Sequence, residues 1–150
     1  MPDIQTLTRQ AERQCQQRGV RFTPIRRRVL ELIADSPGGL KAYDLLDRLA
    51  VEHGAARPPT VYRALDFLIE QGLVHRIESL NAYVACPCPE HHHGFQLLIC
   101  RHCGRVEELH LDDVNAQLGA RAAALGFAVD RQTIELLGAC DACRATAADG

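Results

Sequence analysis

Apolar residues along the first half of the chain recur at helical intervals. Ile4, Leu7, Ala11 and Cys15 stand three or four apart, which predicts a helix over residues 3–18 with Cys15 on its buried stripe rather than on a ligand face. Thr23-Pro24 carries the signature of a second helix start, since Thr caps free N–H groups and Pro in the first turn loses no hydrogen bond. Ile25, Val29, Leu32 and Ile33 form its inner face, and Ser36-Pro37-Gly38-Gly39 ends it. A third helix is predicted over 42–52 on Leu45, Leu46 and Leu49, and a fourth from Arg57-Pro58-Pro59-Thr60 to about Gln71 on Val61, Leu65, Leu68 and Ile69. Gly72 then stands where a left-handed residue closes a helix. Short strand-like runs at 73–78 and 82–85 flank the turn Ser79-Leu80-Asn81. Helices followed by such a hairpin give the order of a winged helix-turn-helix, whose recognition helix enters the major groove.

The second half follows a different rhythm. Residues 96–99 and 105–109 read as strands, 112–125 as an Ala-rich helix opened by Asp112 and Asp113, and 127–137 as one long strand or a strand pair. The small, polar tail after Cys143 is expected to fray. The fold class is therefore α+β: a winged helix over 1–85, a linker over 86–95, and a small α/β unit over 96–150.

Composition is that of a folded protein, with 47% hydrophobic and 24% charged residues. No apolar run is long enough to span a bilayer, and Met1 to Gln10 lacks an apolar signal core, so a cytoplasmic location without membrane association is the expectation. Net charge is −2, but residues 1–85 hold 12 basic against 10 acidic side chains and residues 86–150 hold 5 against 9. Arg18, Arg21, Arg26, Arg27 and Arg28 cluster without an acid among them, which suits either a phosphate-facing patch or a solvated helix face.

Six of the seven cysteines follow position 85. Cys100 and Cys103 form one CxxC pair and Cys140 and Cys143 another. Two such turns make a closed tetrahedral thiolate shell for a structural zinc. The competing redox reading needs a CxxC at the start of a helix, and neither pair is expected to precede one. A second group of donors comprises His75, Cys86, Cys88, His91, His92, His93, His102, Glu107, Glu108 and His110. Taken singly, each has a bland reading as a solvated loop or strand edge. No HExxH, deaminase or Gly-rich phosphate motif accompanies them, so neither catalysis nor a small-molecule substrate is expected.

The runs Arg21-Phe22-Thr23-Pro24, Ala42-Tyr43-Asp44-Leu45-Leu46, Pro58 to Leu68, Gly72-Leu73-Val74-His75 and both CxxC pairs make the chain resemble the ferric-uptake-regulator family, and within it the zinc-uptake-regulator branch, over residues 5–145. The resemblance implies a homodimer that binds palindromic double-stranded operator DNA when metal-loaded and represses uptake genes. It also implies one structural and one regulatory Zn2+ per chain. Carried over by position, the regulatory ligands fall on His75, Cys86, His93 and Glu108, with Cys88, His91 and His92 as additional donors. One sulfur, two nitrogens and one oxygen suit zinc. Iron-sensing members carry a His-x-His pattern before the first CxxC, whereas this chain has Gln96-Leu97-Leu98-Ile99. On the recognition helix, Arg63 is expected at a guanine edge or phosphate, Tyr62 at a thymine methyl or phosphate, and Thr60 at a phosphate. Arg21, Arg26 and Arg27 are further backbone contacts. Alternatives are a sibling iron, manganese or peroxide sensor, a zinc enzyme using the second group of donors, and a zinc-storage protein.

Overall fold

The computed structural model describes residues 3–36, 38–53, 57–86, 95–130 and 132–148. The chain divides into two compact units, Met1–His91 and His92–Gly150. Cys88, His91, His92 and His93 lie outside the described residues.

The first unit begins with α1 (Ile4–Arg18), whose first turn is capped by the Asp3 carboxylate accepting from the Thr6 N–H at 2.8 Å. α2 (Pro24–Ala34) starts at Thr23, as its sequence predicts. There follow β1 (Leu40–Lys41), α3 (Ala42–His53), α4 (Pro58–Glu70), β2 (Val74–Ile77) and β3 (Ala82–Ala85). The hairpin gains a strand that periodicity did not reveal: β1 pairs antiparallel with β3, giving a sheet of order β1-β3-β2. Two residues are too few to show an alternation. Gly72 has φ +73 and turns the chain from α4 into β2. The core joins Leu30 and Ile33 of α2, Leu45 and Leu49 of α3, and Leu65 and Leu68 of α4, all buried, with Cys15 only 1% exposed beside them. The apolar stripe therefore explains Cys15, as expected.

In the second unit β4 (Phe95–Cys100) pairs antiparallel with β5 (Val106–Leu109) and parallel with β6 (Thr133–Gly138). α5 (Asp112–Ala124) lies in the crossover between β5 and β6. Buried Gln96 ties β4 to the start of α5: its amide donates to Asn115 Oδ1 at 2.8 Å and its oxygen accepts from the Leu111 N–H at 3.1 Å. Two expectations need correction. Among the described residues of the stretch 127–137, only those from Thr133 onward are strand. The described residues after Cys143 are not frayed but continue α6 (Asp141–Ala148), which begins within the second CxxC. Its small residues carry no apolar stripe from which a helix is readable. α5 buries no residue fully, so this unit has a thin core, the circumstance in which small domains use a metal staple.

Candidate metal centre and nucleic-acid interface

The parallel register sets Cys100 opposite Gly138, two residues before Cys140. The Arg101 N–H donates to the Gly138 carbonyl at 2.9 Å, fixing the two CxxC turns side by side. Gly104 closes the first turn at φ +75, donating to the Cys100 carbonyl at 3.0 Å. The Cys140 N–H points at Cys100 Sγ at 3.4 Å, and Cys103 Sγ lies 3.7 Å from Cys140 Sγ. All four sulfurs lie within 4.8 Å of one another. A zinc ion with Zn–S bonds of ~2.3 Å needs tetrahedral sulfur–sulfur edges of ~3.8 Å, so the residues fit the ion.

The electrostatics of the cluster point the same way. N–H groups of Cys103, Cys140 and His102 hold the Cys100 thiol down at about 5, whereas Cys143, hydrogen-bonded to the other sulfurs, is pushed up to about 12. Four thiols this close resist ionising together, and a dication removes the conflict. Contrary to the expectation from sequence, Cys140 stands where β6 leads into α6, so the second pair does occupy a strand-to-helix junction. The stronger ground is the count, because a redox couple uses two sulfurs and this site converges four.

In the first unit, His75 lies on β2 opposite Val84 of β3, and Cys86 follows β3 directly, its N–H donating to the Leu73 carbonyl at 2.9 Å. Hairpin pairing thus brings their ligand atoms within 4.8 Å of each other. Cys86 is 1% exposed. In the second unit, Glu108 of β5 is 6% exposed at its side chain, with Oε1 3.1 Å from His110 Nε2. The sequence offered His110 only as an unassigned donor, since the two-residue spacing along the chain does not by itself show that the side chains meet.

α4 presents Thr60, Tyr62 and Arg63 outward while Val61, Ala64, Leu65 and Leu68 face the core. Tyr62 is 45% exposed, so it is not absorbed by packing. The arginine cluster is less uniform than its sequence suggests. Arg27 pairs with Glu12 at 2.8 Å and lies 5.3 Å from the Phe22 ring centre. Arg28 is bonded to Glu31 at 3.0 Å and to Glu52, and these carboxylates raise its pKa further. Arg21 is exposed. Arg26 donates to the Arg21 carbonyl and stacks 3.7 Å above the Phe67 ring of α4. Folding therefore places carboxylates from α1, α2 and α3 against a run that has none between Arg18 and Arg28.

The model of the ferric uptake regulator family matches residues 17–137. The zinc uptake regulation protein of Escherichia coli (strain K12) is 47% identical over 140 residues, covering 93% of this chain and 82% of that protein. A zinc uptake regulator solved in complex with zinc and DNA superposes with a TM-score of 0.92 at 45% identity, covering 99% of both chains. The crystal structure of holo XcZur superposes with a TM-score of 0.87 at 50% identity, over 93% of this chain and 98% of that one.

Proposed function

The chain belongs to the ferric uptake regulator family, and we propose that it is a zinc-responsive repressor that binds operator DNA. The observation that carries this reading is the likeness, over 99% of both chains, to a regulator solved with zinc and DNA. Its relatives are regulators, and a regulatory rather than catalytic role accords with a cysteine site closed by four protein ligands, which leaves no open position for substrate.

In this reading each chain takes two zinc ions. Cys100, Cys103, Cys140 and Cys143 hold the structural ion. His75, Cys86, His93 and Glu108 hold the regulatory one, a reading supported by the closeness of His75 and Cys86 within the first unit. His75 and Cys86 stand at the base of the hairpin that follows α4, and Glu108 belongs to the second unit. Zinc bound by this set supplies a cross-link between the units. Restricting their arrangement in a homodimer selects recognition helices spaced for two half-sites, about 34–36 Å apart. Apparent DNA affinity rises with the fraction of molecules so arranged, and DNA raises zinc affinity by the same factor. Thr60, Tyr62 and Arg63 are the contacts of α4 with DNA, joined by Arg21, Arg26 and Arg27. The homodimer reading draws support from exposed apolar side chains of the second unit, including Leu118, Leu125, Phe127 and Leu136. A cytoplasmic location is part of the proposal, and no helix among the described residues is long and apolar enough to cross a membrane.

The test is recovery of genomic DNA fragments on the purified protein across buffered free zinc concentrations, followed by sequencing. A few palindromic sites enriched above a zinc threshold are expected. Enrichment without zinc dependence would overturn the sensing, and no enrichment by folded protein would overturn the repressor reading.

A further inference from the structure

Phe67 is half-buried on α4, with one side packed against the core of the first unit. The Arg26 guanidinium lies across its ring, 3.7 Å from the centroid. Arg26 comes from the first turn of α2, where Thr23 caps the helix and accepts from the Arg26 backbone N–H. Its guanidinium also donates to the Arg21 carbonyl. These two holds are neutral groups, in contrast to the carboxylates that meet Arg27 and Arg28. They orient the guanidinium without cancelling its charge. Phe67 follows Arg63 by four residues on α4, one turn along the same face. The Arg26 guanidinium of α2 thus lies on a ring that stands one helical turn from the exposed arginine of the recognition helix. Planar stacking on an aromatic face leaves guanidinium N–H groups directed outward, the form in which arginine grips phosphate.

We propose that Phe67 is a positioning residue for DNA binding: its ring holds the Arg26 guanidinium as a phosphate clamp beside Arg63. The proposal rests on the DNA-binding reading above. Loss of the ring frees Arg26 to swing among rotamers, so the clamp re-forms only at an entropic cost on binding. Stacking of this kind is worth about 2- to 30-fold in an equilibrium constant.

The experiment measures affinity of the full-length, zinc-loaded protein for an operator duplex recovered by the genomic selection, at several salt concentrations. Arg26→Ala, Phe67→Leu, the double variant and Phe67→Tyr are compared with the parent, with zinc content and far-ultraviolet circular dichroism measured alongside. Arg26→Ala is expected to lower the slope of log K against log salt by about 1, as for one lost phosphate contact. Phe67→Leu is expected to weaken binding about 2- to 30-fold, the double variant to bind no more weakly than Arg26→Ala, and Phe67→Tyr to bind like the parent. Independent, additive losses would overturn the proposal, because they would assign Phe67 a role not transmitted through Arg26. An unchanged salt slope in Arg26→Ala would overturn it too, and that result is readable even where Phe67→Leu fails to fold, since Arg26 is only half-buried. Failure of the parent protein to bind DNA at any zinc level is the separate result that overturns the repressor reading.

Discussion

Cys100 and Cys143 belong to one cluster yet their protons are held in opposite senses, at about 5 and about 12. Cys100 is thus expected to be the first of the cluster to ionise and Cys143 the last. Zinc uptake at pH 7 is therefore expected to release the Cys143 proton but none from Cys100, so fewer than four protons per ion appear in weakly buffered solution. As pH falls toward 5, Cys100 gains a proton that zinc must also displace, and zinc affinity should fall more steeply with acid. Release of four protons per zinc at pH 7 would contradict this ordering. Cys103, the exposed member, tests the staple itself. Structural zinc supplies on the order of 10 kcal/mol of folding free energy in small domains. Cys103→Ser should accordingly lose one zinc per chain by metal analysis and leave the second unit susceptible to proteolysis. At this scale the sequence was legible where spacing confines the donors, as in the CxxC turns. It was silent on the Glu108–His110 and Arg28–Glu52 pairs, which arise from strand geometry and helix packing.

At the scale of elements, α1 is latched to the end of α4. The Gln14 amide donates to the Gln71 carbonyl at 2.7 Å, and Arg18 reaches the same carbonyl at 3.1 Å and the Gln71 side-chain oxygen at 2.9 Å. That carbonyl is among those a helix end leaves without an intrahelical partner. Gln14→Leu keeps the volume and removes the donor from a buried site, with an expected cost of about 1–2 kcal/mol in urea unfolding. Arg28→Ala removes contacts to Glu31 and Glu52, but all three side chains are about a third exposed, so the expected loss is about 1 kcal/mol or less. A larger loss on Arg28→Ala than on Gln14→Leu would reverse the weight assigned to the two links. The four helices of the first unit were readable because each long apolar stripe repeats over several turns. β1 and α6 were not: the first is two residues long, and the second is rich in alanine with no stripe.

For the whole molecule, the proposed regulatory ion separates sensing from folding. Cys86→Ser should retain the zinc of the four-cysteine site and keep its fold, while its DNA affinity becomes indifferent to buffered free zinc. The converse measurement, zinc titration with and without operator DNA, should show the same coupling factor in the parent and none in the variant. A zinc response that survives Cys86→Ser would remove that residue from the ligand set. The sequence by itself determined the elements with strong periodicity, the two CxxC turns, the burial of Cys15 and the outward face of α4, because each depends on residues within a turn or two of one another. Tertiary structure alone decided the β1–β3 pairing, the parallel register that sets Cys100 beside the Cys140 turn, the neutralisation of Arg27 and Arg28, and the seating of Arg26 on Phe67. Each of these joins residues distant along the chain, and no local pattern encodes which surfaces meet once the core has closed.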